Sequence, residues 1–235
     1  MDCDNIMLND MDITAQPRME VASFAMEHQK KYHQTILQTD KGKLIVEGPV
    51  SPESLKKHSF HPGLTAFRHP REQQEAITEI AQLPEGRIII TRKATEIVAY
   101  VTFLYPDPLE YWSEGNMKDL LELGAIEVAA PYRKYGVARA LLNTAFMDSF
   151  MENYIVISTE YYWHWDLKGT GLSIWEYRDI MEKVMSSAGL EWFATDDPEI
   201  TAHPANCLMA RIGKNVPAES IETFDRLRLR SRFFY

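Results

Sequence analysis

Cysteine is almost absent from this chain: there are two in 235 residues, Cys3 and Cys207. They lie far apart and no CxxC pair exists, so neither a disulfide framework nor a cysteine metal knuckle is available, and a reducing compartment is the simplest setting. Long apolar runs are missing too. The longest, at 88–91 and 97–105, fall far short of the roughly 20 residues that a bilayer-crossing helix needs. Residues 1–25 scatter acids where a secretory signal would carry a basic start and an apolar stretch. Positive charge is also scarce. Against 25 Lys and Arg stand 34 Asp and Glu, a formal net charge of -9. Non-specific nucleic-acid binding needs a basic surface that displaces counterions. The expectation is a cytoplasmic, soluble protein with no membrane or nucleic-acid partner, whose acidic surface favours partners with a basic contact face.

Hydrophobic residues make up 45% and charged residues 25%, the mix of a folded globular chain long enough to bury one core without staples. Residues 1–25 show no period and are expected to be a flexible extension, with Met26 an alternative start. From 42 onward the pattern tightens. Alternation predicts a strand over 43–47, and Ser51-Pro52 opens a helical turn. Helical spacing at Ala76, Ile77, Ile80 and Ala81 predicts a helix over 71–83. A hairpin is expected from 87–92 and 97–105, then a helical turn over 117–123 and a strand over 124–129. A helix over 137–150, a strand over 154–158, a helix over 174–187 stopped by Gly189, a strand over 191–195 and a helix over 217–228 complete the series. Strands and helices share one core, which makes the fold class α/β or α+β with a mixed sheet. The domain is placed at 42–200, with 201–235 a C-terminal segment packed on it.

The chemistry concentrates in GAIEVAAPYRKYGVARALL at 124–142. A strand runs into a loop, and the loop opens a helix. Backbone N–H groups at a helix N-terminus have no partner inside the helix and carry the positive end of its dipole, so together they cradle phosphates. Gly136 removes a Cβ from that approach, Ala138 keeps the next turn small, and Arg133 and Lys134 add positive charge. Glu127 is a lone charge in the apolar strand, and is the candidate general base. Its alternative role is a solvent-facing or structurally hydrogen-bonded carboxylate.

Arg133-x-x-Gly136-x-Ala138, in this strand–loop–helix setting, resembles the acetyl-CoA-binding signature of the GNAT acetyltransferases. The likeness extends over most of the chain. VEGPVSPE at 46–53, LTAFR at 64–68, PREQ at 70–73, LPEGRIII at 83–90 and LYPDPLE at 104–110 are similar to the AcuA family of acetoin-utilisation acetyltransferases. So are TEYYWHWDLKG at 159–169, FATDDPEI at 193–200 and HPANCLMARIGKN at 203–215. The resemblance implies a GNAT fold with a mixed, mostly antiparallel sheet flanked by helices. It also implies acetyl-CoA as co-substrate, no metal, and transfer of the acetyl group to the active-site lysine of acetyl-CoA synthetase, which is thereby switched off. Residues Val128, Ala129, Arg133, Lys134, Tyr135, Gly136, Val137 and Ala138 would hold the coenzyme. A backbone N–H of Val128 or Ala129 would serve the oxyanion. Many GNAT proteins carry a tyrosine, as acid for the leaving thiolate, four residues before the glycine that ends the fourth helix; here Met185 stands there, before Gly189. Either the thiolate leaves without a protein acid, or a group from 159–166 serves, with Tyr161, Tyr162 and His164 as candidates. The rival readings are acetylation of a small amine, and a non-catalytic acetyl-CoA-binding regulator.

Other features have blander readings. The run 161–165 is aromatic enough for an acceptor cleft or for core packing. Asp196-Asp197-Pro198-Glu199 is expected to be a capped turn. His58, His61 and His69 lack ligand spacing. Arg226, Arg228, Arg230 and Arg232 are expected to meet the chain's own acids, and Cys207 to be a small buried apolar residue.

Overall fold

The computed structural model describes residues 27–230; the extension expected over 1–25 lies outside them. In chain order the strands are β1 (His33–Thr39), β2 (Gly42–Gly48), β3 (Ser59–Phe60), β4 (Arg87–Lys93), β5 (Glu96–Leu104), β6 (Leu120–Val128), β7 (Ile155–Glu160), β8 (Glu191–Phe193) and β9 (Cys207–Ile212). The helices are α1 (Pro52–Leu55), α2 (Pro70–Gln82), α3 (Val137–Ala145), α4 (Leu167–Thr170), α5 (Ile174–Ser186), α6 (Pro198–Thr201) and α7 (Ala218–Arg228). The main sheet runs β1-β2-β4-β5-β6-β7-β9-β8, and β3 adds on to β5. Along that path every pair is antiparallel except β6 and β7, which are parallel. The sheet therefore begins before residue 42 and extends past residue 200.

The centre of the sheet is covered on both faces, which explains its sequence. Ile88, Ile89 and Ile90 of β4 and 97–101 of β5 have no exposed surface, so both strands are continuous apolar runs instead of alternations. Each such side chain contributes about 1.5–3 kcal/mol by leaving water. On one face Phe103 meets Phe146 just after α3; on the other, Tyr100 meets Phe60 of β3. A second apolar cluster gathers Trp112, Leu120, Ile155, Ile157, Leu208 and Phe224 beneath α7.

Three expectations are corrected. Residues 120–123 are strand, not helix: Leu120, Leu121 and Glu122 pair with Ile155, Val156 and Ile157 of β7. The preceding turn of helix sits earlier, at Tyr111–Gly115. The helix expected to reach 150 stops at Ala145, and a separate turn, Ser149–Asn153, begins where Asp148 accepts from the Phe150 N–H. Finally, β9 was not foreseen, although it is the strand that joins β7 to β8.

Arg87 ties the N-terminal lead-in to this frame. It is 1% exposed and donates to the Glu85 carbonyl at 2.7 Å and the Gln29 carbonyl at 2.5 Å. Its guanidinium lies 4.9 Å from the Tyr154 ring centroid. Its Nε is 3.9 Å from the buried Asp148 carboxylate, a charge contact and not a hydrogen bond, and that Nε has no hydrogen-bond partner. Asp148 also accepts from the Lys31 N–H at 3.0 Å. Removing one member of a buried ion pair strands the other. Arg87→Met is expected to cost about 3 kcal/mol, the low end for such pairs because Asp148 keeps its backbone donors. Urea unfolding would show it as a lower midpoint with an unchanged slope.

Candidate active site

The site begins where two strands part. β6 and β7 pair through Glu122 and Ile157 and no further. β6 continues to Val128 against β5, and β7 continues to Glu160 against β9, so a wedge opens between them. Its cause is local. The β5–β6 register pairs Phe103 with Leu123 and Thr102 with Ala125, which leaves Gly124 as an extra residue. A bulge of this kind bends its strand and raises its twist. It follows directly after the last β6–β7 pair, so β6 turns away from β7 at that point.

The bulge also resets which side chains share a face. Glu122 and Glu127 are five residues apart and would lie on opposite faces of a regular strand. Here Glu122 pairs with Leu104 and Glu127 with Tyr100, two residues of one parity on β5. Both carboxylates therefore stand on the same face, the one on which Phe60 meets Tyr100.

Their surroundings differ. Glu127 is 6% exposed and both of its oxygens are engaged. Oε1 accepts from the Ala66 N–H at 2.8 Å, and Oε2 accepts from the Tyr100 hydroxyl at 2.8 Å. Burial, and next the Glu127 charge, hold the Tyr100 hydroxyl far above its usual range, so it remains a donor. In the fold, Glu127 is thus a buried carboxylate with a hydrogen bond at each oxygen. Glu122, half-buried at the apex of the wedge, accepts from the Thr159 hydroxyl of β7 at 3.2 Å. Burial, and then the neighbouring carboxylate of Glu110, push its carboxyl up to about 7. Glu110 shares a hydrogen bond with it and is itself raised by burial. Sequence reasoning missed Glu122. The available signal was a charge inside Leu120-Leu121-Glu122-Leu123 next to a glycine within a strand.

At the open end of the wedge lies the loop into α3. Gly136 is the N-cap of α3 with φ 75°, and Lys134 is also left-handed with φ 68°. That conformation is costly for a residue with a Cβ. No atom lies within 4 Å of where a Gly136 Cβ would sit, so the glycine answers to backbone handedness and leaves open space above the helix end. The first intrahelical bond runs from the Ala140 N–H to the Gly136 carbonyl, so the N–H groups of Val137, Ala138 and Arg139 face outward as free donors. Tyr135 holds this loop to the β1–β2 turn by donating to Asp40. A diphosphate suits these donors.

The expected residues are brought together with two refinements. Arg133 is not a free cation over the loop. Its Nε donates to the Val128 carbonyl at 3.1 Å and its NH1 meets Asp166 at 2.7 Å, so it spans from the end of β6 to the segment after β7. The Ala129 N–H donates to the Val98 carbonyl at 2.9 Å. Antiparallel alternation then turns the N–H of Val128 away from β5 and toward the wedge.

The remaining candidates divide cleanly. Met185 is fully buried in the core. Tyr161 stacks on Trp163, with ring centroids 4.8 Å apart, and burial raises its hydroxyl. Tyr162 packs on His203, Trp163 is exposed, and Trp165 is buried and donates to Glu160. The aromatic run therefore serves both core and surface. Asp197 caps α6 by accepting from the Glu199 N–H. His58 bonds the Ser54 carbonyl and His61 accepts from the Gly63 N–H. Arg226, Arg228 and Arg230 pair with Glu222, Asp225 and Glu114, while Arg232 lies outside the described residues. Burial pushes the Cys207 thiol up to about 12, which keeps it a neutral core residue. Among the described residues no three His, Cys, Asp or Glu converge as metal ligands, and no helix is long and apolar enough to cross a membrane.

Comparison with known proteins agrees with this geometry. The model of the Acetyltransferase (GNAT) family matches residues 57–164. Acetoin utilization protein AcuA of Bacillus subtilis is 65% identical over 210 residues, which span 89% of this chain and 100% of that protein. The AcuA protein of Bacillus licheniformis is 63% identical over the same spans. A crystal structure of an acetoin utilization protein from Exiguobacterium sibiricum superposes with a TM-score of 0.86 at 57% identity, covering 88% of this chain and 98% of that one. The parted strands, the helix end beyond them and this likeness along nearly nine-tenths of the chain lead to one assignment: the chain is an acetyltransferase of the GNAT fold and belongs to the AcuA family.

Proposed function

We propose that this enzyme transfers the acetyl group of acetyl-CoA to a lysine of acetyl-CoA synthetase and so switches that enzyme off in acetoin and acetate metabolism. The observation that carries the coenzyme half is the wedge between β6 and β7 opening onto the N-terminus of α3. The free edges of two parted strands are backbone donors and acceptors that need partners. An extended, amide-bearing arm would supply them as a surrogate strand, while its diphosphate takes the N–H groups of Val137, Ala138 and Arg139. In this reading Val128 offers its N–H to the arm or to the developing oxyanion. Arg133 and Asp166 brace the mouth of the wedge, and Lys134 and Tyr135 complete the loop.

The acceptor half rests on chemistry as well as family. The face of β6 above the wedge carries Glu122 and Glu127, with Glu110 and Tyr161 close by. Carboxylates and aromatic rings together suit a cationic alkylamine. A formal net charge of -9 favours a protein surface of opposite sign. An ammonium is a poor nucleophile at neutral pH, its reference pKa being about 10.4, so a base must take one proton before attack.

The direct test incubates the protein with acetyl-CoA and acetyl-CoA synthetase and maps new acetyl-lysines by mass spectrometry. One modified lysine, with matching loss of synthetase activity, is the expected result. Acetyl-CoA binding without any modification of the synthetase would leave a small-amine enzyme or a regulator. The coenzyme half has its own check. Gly136→Val forces a β-branched residue to φ 75° at the helix cap. Calorimetric titration should show acetyl-CoA binding weakened about tenfold or more, about 1.4 kcal/mol, with the thermal midpoint moved by only a few degrees.

A further inference from the structure

The sheet ends on β1, and that edge is bare. Among the described residues no strand pairs with the outer side of β1. The strand at the other end, β8, is guarded: it has three residues and opens on the exposed Glu191. β1 has seven residues, His-Gln-Thr-Ile-Leu-Gln-Thr, with no proline, no Asp, Glu, Lys or Arg, and an unbroken register with β2. Proteins blunt an edge with charge, proline, a bulge or shortness, because its unpaired N–H and C=O groups recruit another strand. β1 uses none of these. We propose that β1 is the interface of a homodimer, in which two copies of the chain join edge to edge across a two-fold axis at Ile36.

Alternation through the sheet decides which backbone groups of β1 face outward. The Ala129 N–H donates to the Val98 carbonyl, so Val98 and Tyr100 turn toward β6 while Ala99 and Val101 turn toward β4. Their partners Thr91 and Ile89 turn to β5, which leaves Ile90 and Arg92 turned to β2. The Val50 N–H, which donates to the Ile88 carbonyl beyond the end of the β2–β4 ladder, agrees. By the same step Glu47 and Ile45 face β4, Val46 and Leu44 face β1, and Thr35 and Leu37 face β2. Gln34, Ile36 and Gln38 therefore hold their N–H and C=O groups outward. Set two copies antiparallel, with Ile36 opposite Ile36 and Gln34 opposite Gln38. The outward N–H groups of each copy then all meet outward C=O groups of the other.

The side chains favour a second copy over an unrelated strand. Gln34, Ile36 and Gln38 share one face. Ile36, 48% exposed, comes to lie on the axis against its own counterpart. It is flanked there by two Gln34–Gln38 pairs, whose amides both donate and accept. The exposed Tyr32 stands over this face, its hydroxyl donating to Gln34 and Glu47. On the opposite face the exposed Met147 meets the Thr35 hydroxyl, its sulfur 3.8 Å away. Pairing thus covers apolar surface on both sides of the sheet. The strand is bounded at both ends: the Lys31 N–H turns aside to Asp148, and the chain reverses at Asp40-Lys41. The interface leaves the wedge open, since β2, β4 and β5 lie between it and β6. It does reach the coenzyme loop, because Asp40 at the end of β1 accepts from Tyr135. The proposal is independent of which amine accepts the acetyl group.

Sedimentation equilibrium of the full chain tests the association. A monomer–dimer equilibrium is expected at micromolar concentration, and a monomer at every concentration overturns the proposal. Ile36→Lys sets two like charges opposite each other on the axis. It is expected to raise the dimer dissociation constant about 100-fold or more, with the far-ultraviolet circular dichroism of the protomer unchanged. A dimer as tight as wild type in this variant also overturns the proposal. Single cysteines read the register without charging the edge. In a Cys3→Ser background, with Cys207 buried, Ile36→Cys puts two thiols across the axis. Their Cα atoms stand about 5.5 Å apart, within disulfide range, so mild oxidation should give a cross-linked dimer. Gln38→Cys leaves the two cysteines four residues out of register, roughly 13 Å apart, and should stay uncross-linked. Cross-linking at position 38, or at neither position, would refute the two-fold at Ile36.

Discussion

The parting of β6 from β7 after three paired residues is the constraint on which the rest of the site depends. A parallel pair buried at the centre of a sheet would normally continue until a strand ended, because each unpaired backbone group in the interior is costly. Here the partners of both strands on their outer sides persist, β5 beside β6 and β9 beside β7, so neither strand is free to swing back. The Gly124 bulge turns β6 aside at the point where pairing stops. The outcome is a slot lined by backbone polar groups, closed at one end by Glu122 and open at the other toward α3. Arg133 braces the open end by joining the Val128 carbonyl to Asp166.

How much of this was legible in the sequence depends on how local the determinants are. The β4–β5 hairpin, α2, α7 and the strand–loop–helix at 124–142 were readable because their patterns are long or carry their own punctuation. Ser51 and Pro52 do start α1, and Asp197 does cap α6. The failures share a cause. Residues 120–123 form a short apolar run, which period alone cannot assign to helix or strand, and only pairing with β7 decides it. β9 escaped notice although Cys207, Leu208, Met209 and Ala210 are all buried, because a strand covered on both faces shows no alternation. The sharing of one face by Glu122 and Glu127 could not be read at all. It exists only because a bulge shifts the parity between them, and a bulge is a relation between two strands.

The motif at 133–138 shows a different limit. Sequence assigned Arg133 a charge role near the phosphates, and in the fold its guanidinium pairs with Asp166. What remains at the helix end is a set of backbone N–H groups and two left-handed residues, Lys134 and Gly136. Only the glycine advertises such a conformation in a sequence. Lys134 holds it at a cost of about 1–3 kcal/mol, which the surrounding loop, tied to Asp40 through Tyr135, must offset.

These two ends of the slot solve opposite electrostatic problems within an acidic chain. In the proposed reaction the α3 end holds an anionic group, met by backbone dipoles with Lys134 in the same loop. In the proposed reaction a cationic amine is received at the apex and must then be neutralised. A fully ionised pair of carboxylates would bind the ammonium tightly but would also raise its pKa, working against the proton's removal. Glu110 and Glu122 share a hydrogen bond, and burial raises both carboxyls. The Thr159 hydroxyl donates to Glu122 from the opposite strand, so the carboxylate is oriented by the same two strands whose separation creates the slot. The bulge, the carboxylate pair and the strand edges are thus parts of one arrangement: the geometry that opens the sheet also places the carboxylate pair at its apex.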